Sequence, residues 1–163
     1  MAERLTIRLA TAADAACIHA GLGMIADHLD ARERMVSTVE DIRRHGFGAE
    51  PAFTVLIAEI GGAFAGMSLF FPSFSTWRGE RGAYVQDFLV VEAFRGDGVG
   101  HALLRRTATH VKRNGGTYLR LSVDAGNYGA RQFYERAGLK WSRDEHIHAA
   151  YGDAFTALAD QTK

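Results

Sequence analysis

Cysteine, proline and net charge are what this 163-residue chain has least of. A single cysteine, Cys17, excludes an internal disulfide framework and fits a reducing compartment. The two prolines, Pro51 and Pro72, stand apart as loop or strand-edge punctuation, and no proline-rich linker divides the chain. Lys plus Arg (19) equals Asp plus Glu (19), so no net field draws the protein to nucleic acid or to an acidic membrane. No apolar run approaches the ~18 residues of a membrane span. The longest candidates, 53–60 and 63–71, are interrupted by Gly61 and Gly62, and Met1–Arg8 has no signal-peptide character. No repeat or low-complexity tract appears. A cytoplasmic protein is the expectation, with one domain over residues 1–163.

What is present is ordinary globular composition, 47% hydrophobic and 23% charged. Leu5–Leu9 alternates like a strand. Thr11 with Asp14 reads as a helix start, and that helix runs to about Asp27. A second helix is expected over Ser37–His45. Phe53–Glu59 and Ala63–Phe71 flank a Gly61-Gly62 hairpin turn, and Ala83–Val91 makes a further strand. A helix follows Gly96–Gly100 with Gly100, Leu104, Ala108 and Val111 on one face, and stops at Asn114-Gly115-Gly116. Thr117–Val123 reads as a strand and Asn127–Ala137 as a helix ended by Gly138. Leu139–Trp141 is expected to begin closing strands. The class is α+β, a mostly antiparallel mixed sheet flanked by helices.

The chemistry concentrates between Val85 and Gly138. Arg95-Gly96-Asp97-Gly98-Val99-Gly100 lies between an apolar strand and an amphipathic helix. Glycines at this density let backbone N–H groups converge on an anion, and the helix N-terminus adds partial positive charge. A dinucleotide fingerprint needs a third small residue where His101 stands, and an acidic residue about 20 positions on. A P-loop needs Gly-Lys-Ser/Thr at the end of the glycine run. Neither pattern is met. A glycine-rich turn without a ligand stays open on these six residues alone.

Arg95-x-x-Gly98-x-Gly100 after Asp87-Phe88-Leu89-Val90-Val91 resembles the acetyl-CoA motif of the GNAT superfamily. Asn127, Ala130 and Phe133-Tyr134-Glu135-Arg136-Ala137-Gly138-Leu139 are similar to its second motif, in the expected order. Ile7–Asp14, Gly46-Phe47-Gly48 and the strand ending at Val90 resemble the diamine (spermidine/spermine-type) branch over nearly the whole chain. The resemblance implies the GNAT (acyl-CoA N-acyltransferase) fold, acetyl-CoA as co-substrate, and direct transfer of the acetyl group to a primary amine. Small di- or polyamines or lysine-like amino acids are the expected acceptors. A protein N-terminus or lysine, an aminoglycoside-type amine, and a non-catalytic acyl-CoA-binding module are the alternatives. It also implies a homodimer in which Ile147–Leu158 reaches the partner.

The same resemblance assigns roles. Phe88, Leu89 and Val90 would pair with the pantetheine arm, with a backbone N–H near Leu89 or Val90 polarising the thioester carbonyl. Arg95, Gly96, Asp97, Gly98, Val99 and Gly100 would form the pyrophosphate turn, while Asn127, Ala130 and Tyr134 flank the arm. Tyr134 would protonate the departing thiol, whose own pKa is about 8.5; its alternative role is packing on the helix face beside Phe133 and Ala137. Relatives place a Glu-Asp pair where this chain reads Gln86-Asp87, and glutamine cannot take a proton. The base is therefore Asp87, a distant group acting through water, or none, if the amine arrives neutral. Asp27, Asp30 and Gln86 are the acceptor-binding candidates, with Glu33 near the first two. Phe70, Phe71, Phe74 and Trp77 either wall the pocket or belong to the core.

Other features carry no chemistry. The seven histidines lack catalytic-zinc spacing, and His146 with His148 reads as a surface pair, so no metal is expected. Cys17 sits among alanines as a small buried residue, and no Gly-x-Ser-x-Gly elbow exists.

Overall fold

Alternation of apolar residues sets the first strand, β1 (Leu5–Leu9), as expected. The computed structural model describes residues 4–160. Residues 1–3 and 161–163, the two ends of the expected 1–163 domain and part of the stretch read for a leader, lie outside them. Thr11 and Asp14 exchange hydrogen bonds around a short 3-10 turn, Thr11 N–H donating to Asp14 Oδ2 at 2.7 Å. This turn leads into α1 (Ala15–His28). Thr38 caps α2 (Val39–Phe47) reciprocally with Asp41, at 3.1 and 2.8 Å. Then come β2 (Thr54–Ile60), β3 (Ala63–Ser75), β4 (Glu80–Val90), α3 (Val99–Arg113) and β5 (Leu119–Leu121). After these lie α4 (Tyr128–Arg136) and α5 (Gly152–Ala159).

The chain forms two compact units, Met1–Ser122 and Val123–Lys163. In the first, the five strands lie in the order β1-β2-β3-β4-β5. All neighbours are antiparallel except β4 and β5. On one face Ala58 and Val85 meet Val99, Leu103 and Val111 of α3. On the other Ile57, Met67 and Leu89 meet Ile18 of α1 and Ile42 of α2. Burying such aliphatic side chains contributes roughly 1.5–3 kcal/mol each, which is what holds the helices to the sheet.

Several expectations are corrected. No strand forms at Leu139–Trp141 or anywhere after β5 among the described residues. Gly138, at φ +96°, ends α4, and the Trp141 ring lies 4.2 Å from the Arg131 guanidinium instead of joining a ladder. The alanine-rich α5, with Asp153 in its first turn, was not anticipated. Thr117–Val123 shortens to Leu119–Leu121. The buried stripe of α3 is Val99, Leu103, Leu104, Thr107 and Val111, while Ala108 is exposed. Thr107 occupies the core because its hydroxyl bonds Ser68 Oγ and the Leu103 carbonyl, both at 2.9 Å. β3 runs on through Pro72, beyond the last β2 pair at Thr54–Phe70, where a missing donor breaks no ladder bond to β2.

Candidate active site

Register along β4 builds the first half of the site. Leu69 pairs with Asp87 but Phe70 pairs with Val85, so Gln86 is an extra residue with no partner, a β-bulge. The bulge puts Val85 and Phe88, three apart, on the α3 face. It leaves Asp87 in step with Leu89, on the α1–α2 face. The parallel pairing with β5 ends at Val85–Leu121, so among the described residues β4 from Gln86 to Val90 has no strand on that side.

Which N–H groups face that side follows from the ladder. Val91 N–H donates to Ala65 C=O at 2.9 Å. Alternation then turns Leu89 and Asp87 toward β3 and turns Val90 outward. Of the two donors considered for the thioester carbonyl, Leu89 is therefore engaged within the sheet and Val90 N–H faces the open edge. Gly66 makes this approach possible, because a Cβ there would stand 2.3 Å from the Leu89 carbonyl oxygen.

The glycine turn follows directly. Gly96 and Gly98 have φ of +92° and +79°, and Gly98 is the N-cap of α3. A Cβ at either would meet no atom within 4 Å, so their side is open to a ligand. The first α3 bond runs from Ala102 N–H to Gly98 C=O. Val99 and Gly100 N–H groups consequently begin the helix without intrahelical acceptors. Arg95 Nε donates to Val90 C=O at 3.2 Å, tying the turn to the end of β4. Such a cradle of unengaged amides at a helix N-terminus suits a pyrophosphate.

Two of the candidate catalytic groups are shifted by burial. The Asp87 carboxyl is pushed up to about 6, because burial penalises its charged form. In the second unit, burial pushes the Tyr134 phenol up to about 12, which keeps it protonated at neutral pH. Tyr134 lies on α4 with its ring edge-on to Phe133 at 5.1 Å. Asn127 caps that helix, its Oδ1 accepting from Ala130 N–H at 3.1 Å, which leaves its amide NH₂ for other partners.

The acceptor candidates are less concentrated. Asp27 ends α1 in an exposed ion pair with Arg32 at 2.9 Å, and Asp30, at φ +50°, is exposed beside it. Glu33 and Gln86 are also exposed. Phe70 belongs to the core and packs edge-on to His110 at 5.5 Å, and Phe71 stacks on Tyr84 at 5.4 Å. Phe74 and Trp77 are exposed, Trp77 almost fully at 99%. Burial raises the Cys17 thiol, which suits a packing residue rather than a nucleophile. No grouping of three metal-ligating side chains occurs among the described residues. Sequence reading missed the bulge at Gln86 and the close approach at Gly66, since neither leaves a periodicity signal.

Residues 24–139 match the Acetyltransferase (GNAT) family. The chain belongs to that family. It is 30% identical over 146 residues to a thialysine N-epsilon-acetyltransferase of Bos taurus, covering 83% of this chain and 85% of the relative. A spermidine/spermine N(1)-acetyltransferase-like protein of Homo sapiens is 30% identical over 128 residues, 74% of this chain and 18% of that one. Among solved structures, an aminoglycoside acetyltransferase from an uncultured soil metagenomic sample superposes with a TM-score of 0.74 at 15% identity. That match covers 91% of this chain and 95% of the other, and it speaks for the fold. This GNAT protein is accordingly an N-acetyltransferase, with relatives in the diamine-type branch.

Proposed function

We propose that this GNAT protein transfers the acetyl group of acetyl-CoA directly to the primary amine of a small di- or polyamine or a lysine-like amino acid. The observation that carries the reading is the continuity of the open β4 edge with the glycine turn of α3. Together they offer backbone donors for an extended thiol arm and for its pyrophosphate. Acetyl-CoA supplies an acyl group activated on a thiol leaving group.

The amides of Gly96–Gly100 hold the pyrophosphate, and Arg95 shapes the turn. Phe88 and Val90 pair with the arm, and the outward Val90 N–H polarises the acyl oxygen. Asn127 and Ala130 flank the arm. A primary amine near pKa 10.4 arrives protonated. A carboxylate raised to about 6 takes that proton more readily than an ordinary aspartate, so Asp87 is the base. Tyr134 Oη holds a proton for the departing sulfur. Asp27, Asp30 and Gln86 receive the distal ammonium and orient the amine, a reading supported by the thialysine and spermidine/spermine relatives.

No helix among the described residues is long and apolar enough to cross a membrane. We take the protein to be cytoplasmic and homodimeric. Exposed Ile147, Tyr151, Phe155 and Leu158 support a C-terminal contact with a second copy.

CoA release from acetyl-CoA over putrescine, spermidine, lysine, thialysine, an aminoglycoside and a short peptide tests the reading. Turnover is expected with the diamines or lysine-like acceptors, and Tyr134→Phe should lower kcat at least tenfold, about 1.4 kcal/mol of barrier. Turnover confined to the peptide or the aminoglycoside would discard the acceptor class and keep the mechanism. Binding of acetyl-CoA without turnover of any amine would leave only a binding module.

A further inference from the structure

The sheet has a second open edge, far along the strand order from β4. β1 pairs only with β2 among the described residues. Ala10 N–H donates to Val55 C=O at 2.9 Å, and Ala10 stands opposite Val55 in the continuation of the β1–β2 register. Alternation then turns Thr6 and Arg8 toward β2, and turns the N–H and C=O groups of Leu5 and Ile7 outward. Edges of this kind are usually blunted by a proline, a bulge or an inward-pointing charge. β1 has no proline and no register shift, and Arg8 is held by Asp14 and Glu59, each at 2.9 Å.

An open groove of about 840 Å³ runs along this edge, floored by Leu5 and Ile7 and roofed by Ala102, Arg105, Arg106 and Thr109 of α3. Among the described residues no acidic side chain lines it. Neither arginine makes an ion pair among the described residues, whereas Arg8, Arg32, Arg43, Arg44 and Arg78 all do.

From this combination we infer that the β1 edge is a strand-addition site for an extended acidic segment of a partner protein. The partner's backbone pairs with Leu5 and Ile7. Its side chains on the α3 face alternate beneath the helix, carboxylates meeting Arg105 and Arg106 and apolar groups covering Leu5 and Ile7. A second copy is a poorer occupant. Two β1 strands paired about a two-fold axis bring both pairs of arginines onto one seam, and like charges oppose that contact. The inference does not depend on the acceptor or on the catalytic roles above.

The test uses the whole protein and a fluorescein-labelled octapeptide, Glu-Thr-Val-Thr-Glu-Thr-Val-Thr, which puts glutamate and valine by turns on one face of a strand, followed by anisotropy. Saturable binding is expected, with the amide resonances of Leu5 and Ile7 shifting. Affinity should fall roughly tenfold or more for Arg105→Glu/Arg106→Glu, and equally on the native protein for the same peptide with lysine in place of glutamate. N-methylation of alternate peptide nitrogens, which removes the ladder donors, should abolish binding while acetyl transfer stays unchanged in every arm. Absence of saturation by about 1 mM, the weak end of recognition, would overturn the proposal. So would binding indifferent to N-methylation, which means charge attraction alone, or self-association of the protein through β1.

Discussion

Asp87 shows how a single residue trades stability against chemistry. Burial raises its carboxyl from the ordinary 3.8 to about 6, so the folded state binds the proton more tightly than the unfolded one. The charged form therefore destabilises the fold fully above pH 6, and that penalty shrinks as pH falls from about 6 to 4 and is gone below about 4. At 1.36 kcal/mol per pKa unit, the cost at neutral pH is at most about 3 kcal/mol. Asp87→Asn should accordingly raise the melting temperature by several degrees at pH 8 and leave it unchanged near pH 4, read by calorimetry. The same variant should lose the acidic limb of the kcat/KM profile near pH 6, with kcat/KM down at least tenfold. A native limb that survives in Asp87→Asn would assign the base elsewhere. Asp14 is the opposite case. Hydrogen bonding to the Arg8 guanidinium lowers its carboxyl to about 2, so what it contributes is present above pH 4 and lost in acid.

Among the elements, β4 and the turn after it hold the donor geometry, and glycines set both. Gly66→Ala would drive a Cβ into the Leu89 carbonyl, 2.3 Å away in the native backbone. Overpacking of this kind costs about 1–3 kcal/mol, and the movement falls on the strand that presents Val90. The expected result is a lower melting temperature together with a raised KM for acetyl-CoA. Gly98→Ala meets no atom, so its cost is the left-handed backbone alone, about 1–2 kcal/mol. Here KM for acetyl-CoA should rise several-fold with kcat nearly unchanged, since on the proposed reading the turn holds the pyrophosphate away from the reacting atoms. Steady-state kinetics with varied acetyl-CoA distinguishes the two variants.

At the scale of the whole molecule, the C-terminal stretch is the outstanding feature. Ile147 is 78% exposed, Tyr151 82% and Leu158 63%, on a chain whose other large aliphatics are mostly buried. Water-facing apolar groups in such number mark an association surface. On the proposed homodimer, Phe155→Glu/Leu158→Glu should give a monomer in sedimentation velocity while leaving the far-ultraviolet circular dichroism unchanged. A native protein that sediments as a monomer, or a variant with an unaltered sedimentation coefficient, would overturn this contact.

Local structure was legible from the sequence by itself. β1 came from alternation, the start of α1 from a threonine and an aspartate three apart, the hairpin from Gly61-Gly62, and the turn before α3 from glycines ahead of an amphipathic helix. Each of these depends on residues within a few positions of one another, so the order of residues determined them. Tertiary structure decided what depends on neighbours distant in the chain. The bulge at Gln86 exists because Leu69 and Phe70 pair as they do, and it alone puts Asp87 on the α1–α2 face. Thr107 is core rather than surface because Ser68 meets its hydroxyl. Leu139–Trp141 had a strand's composition, but Trp141 stacks on Arg131, and a ladder needs a partner strand as well as a propensity.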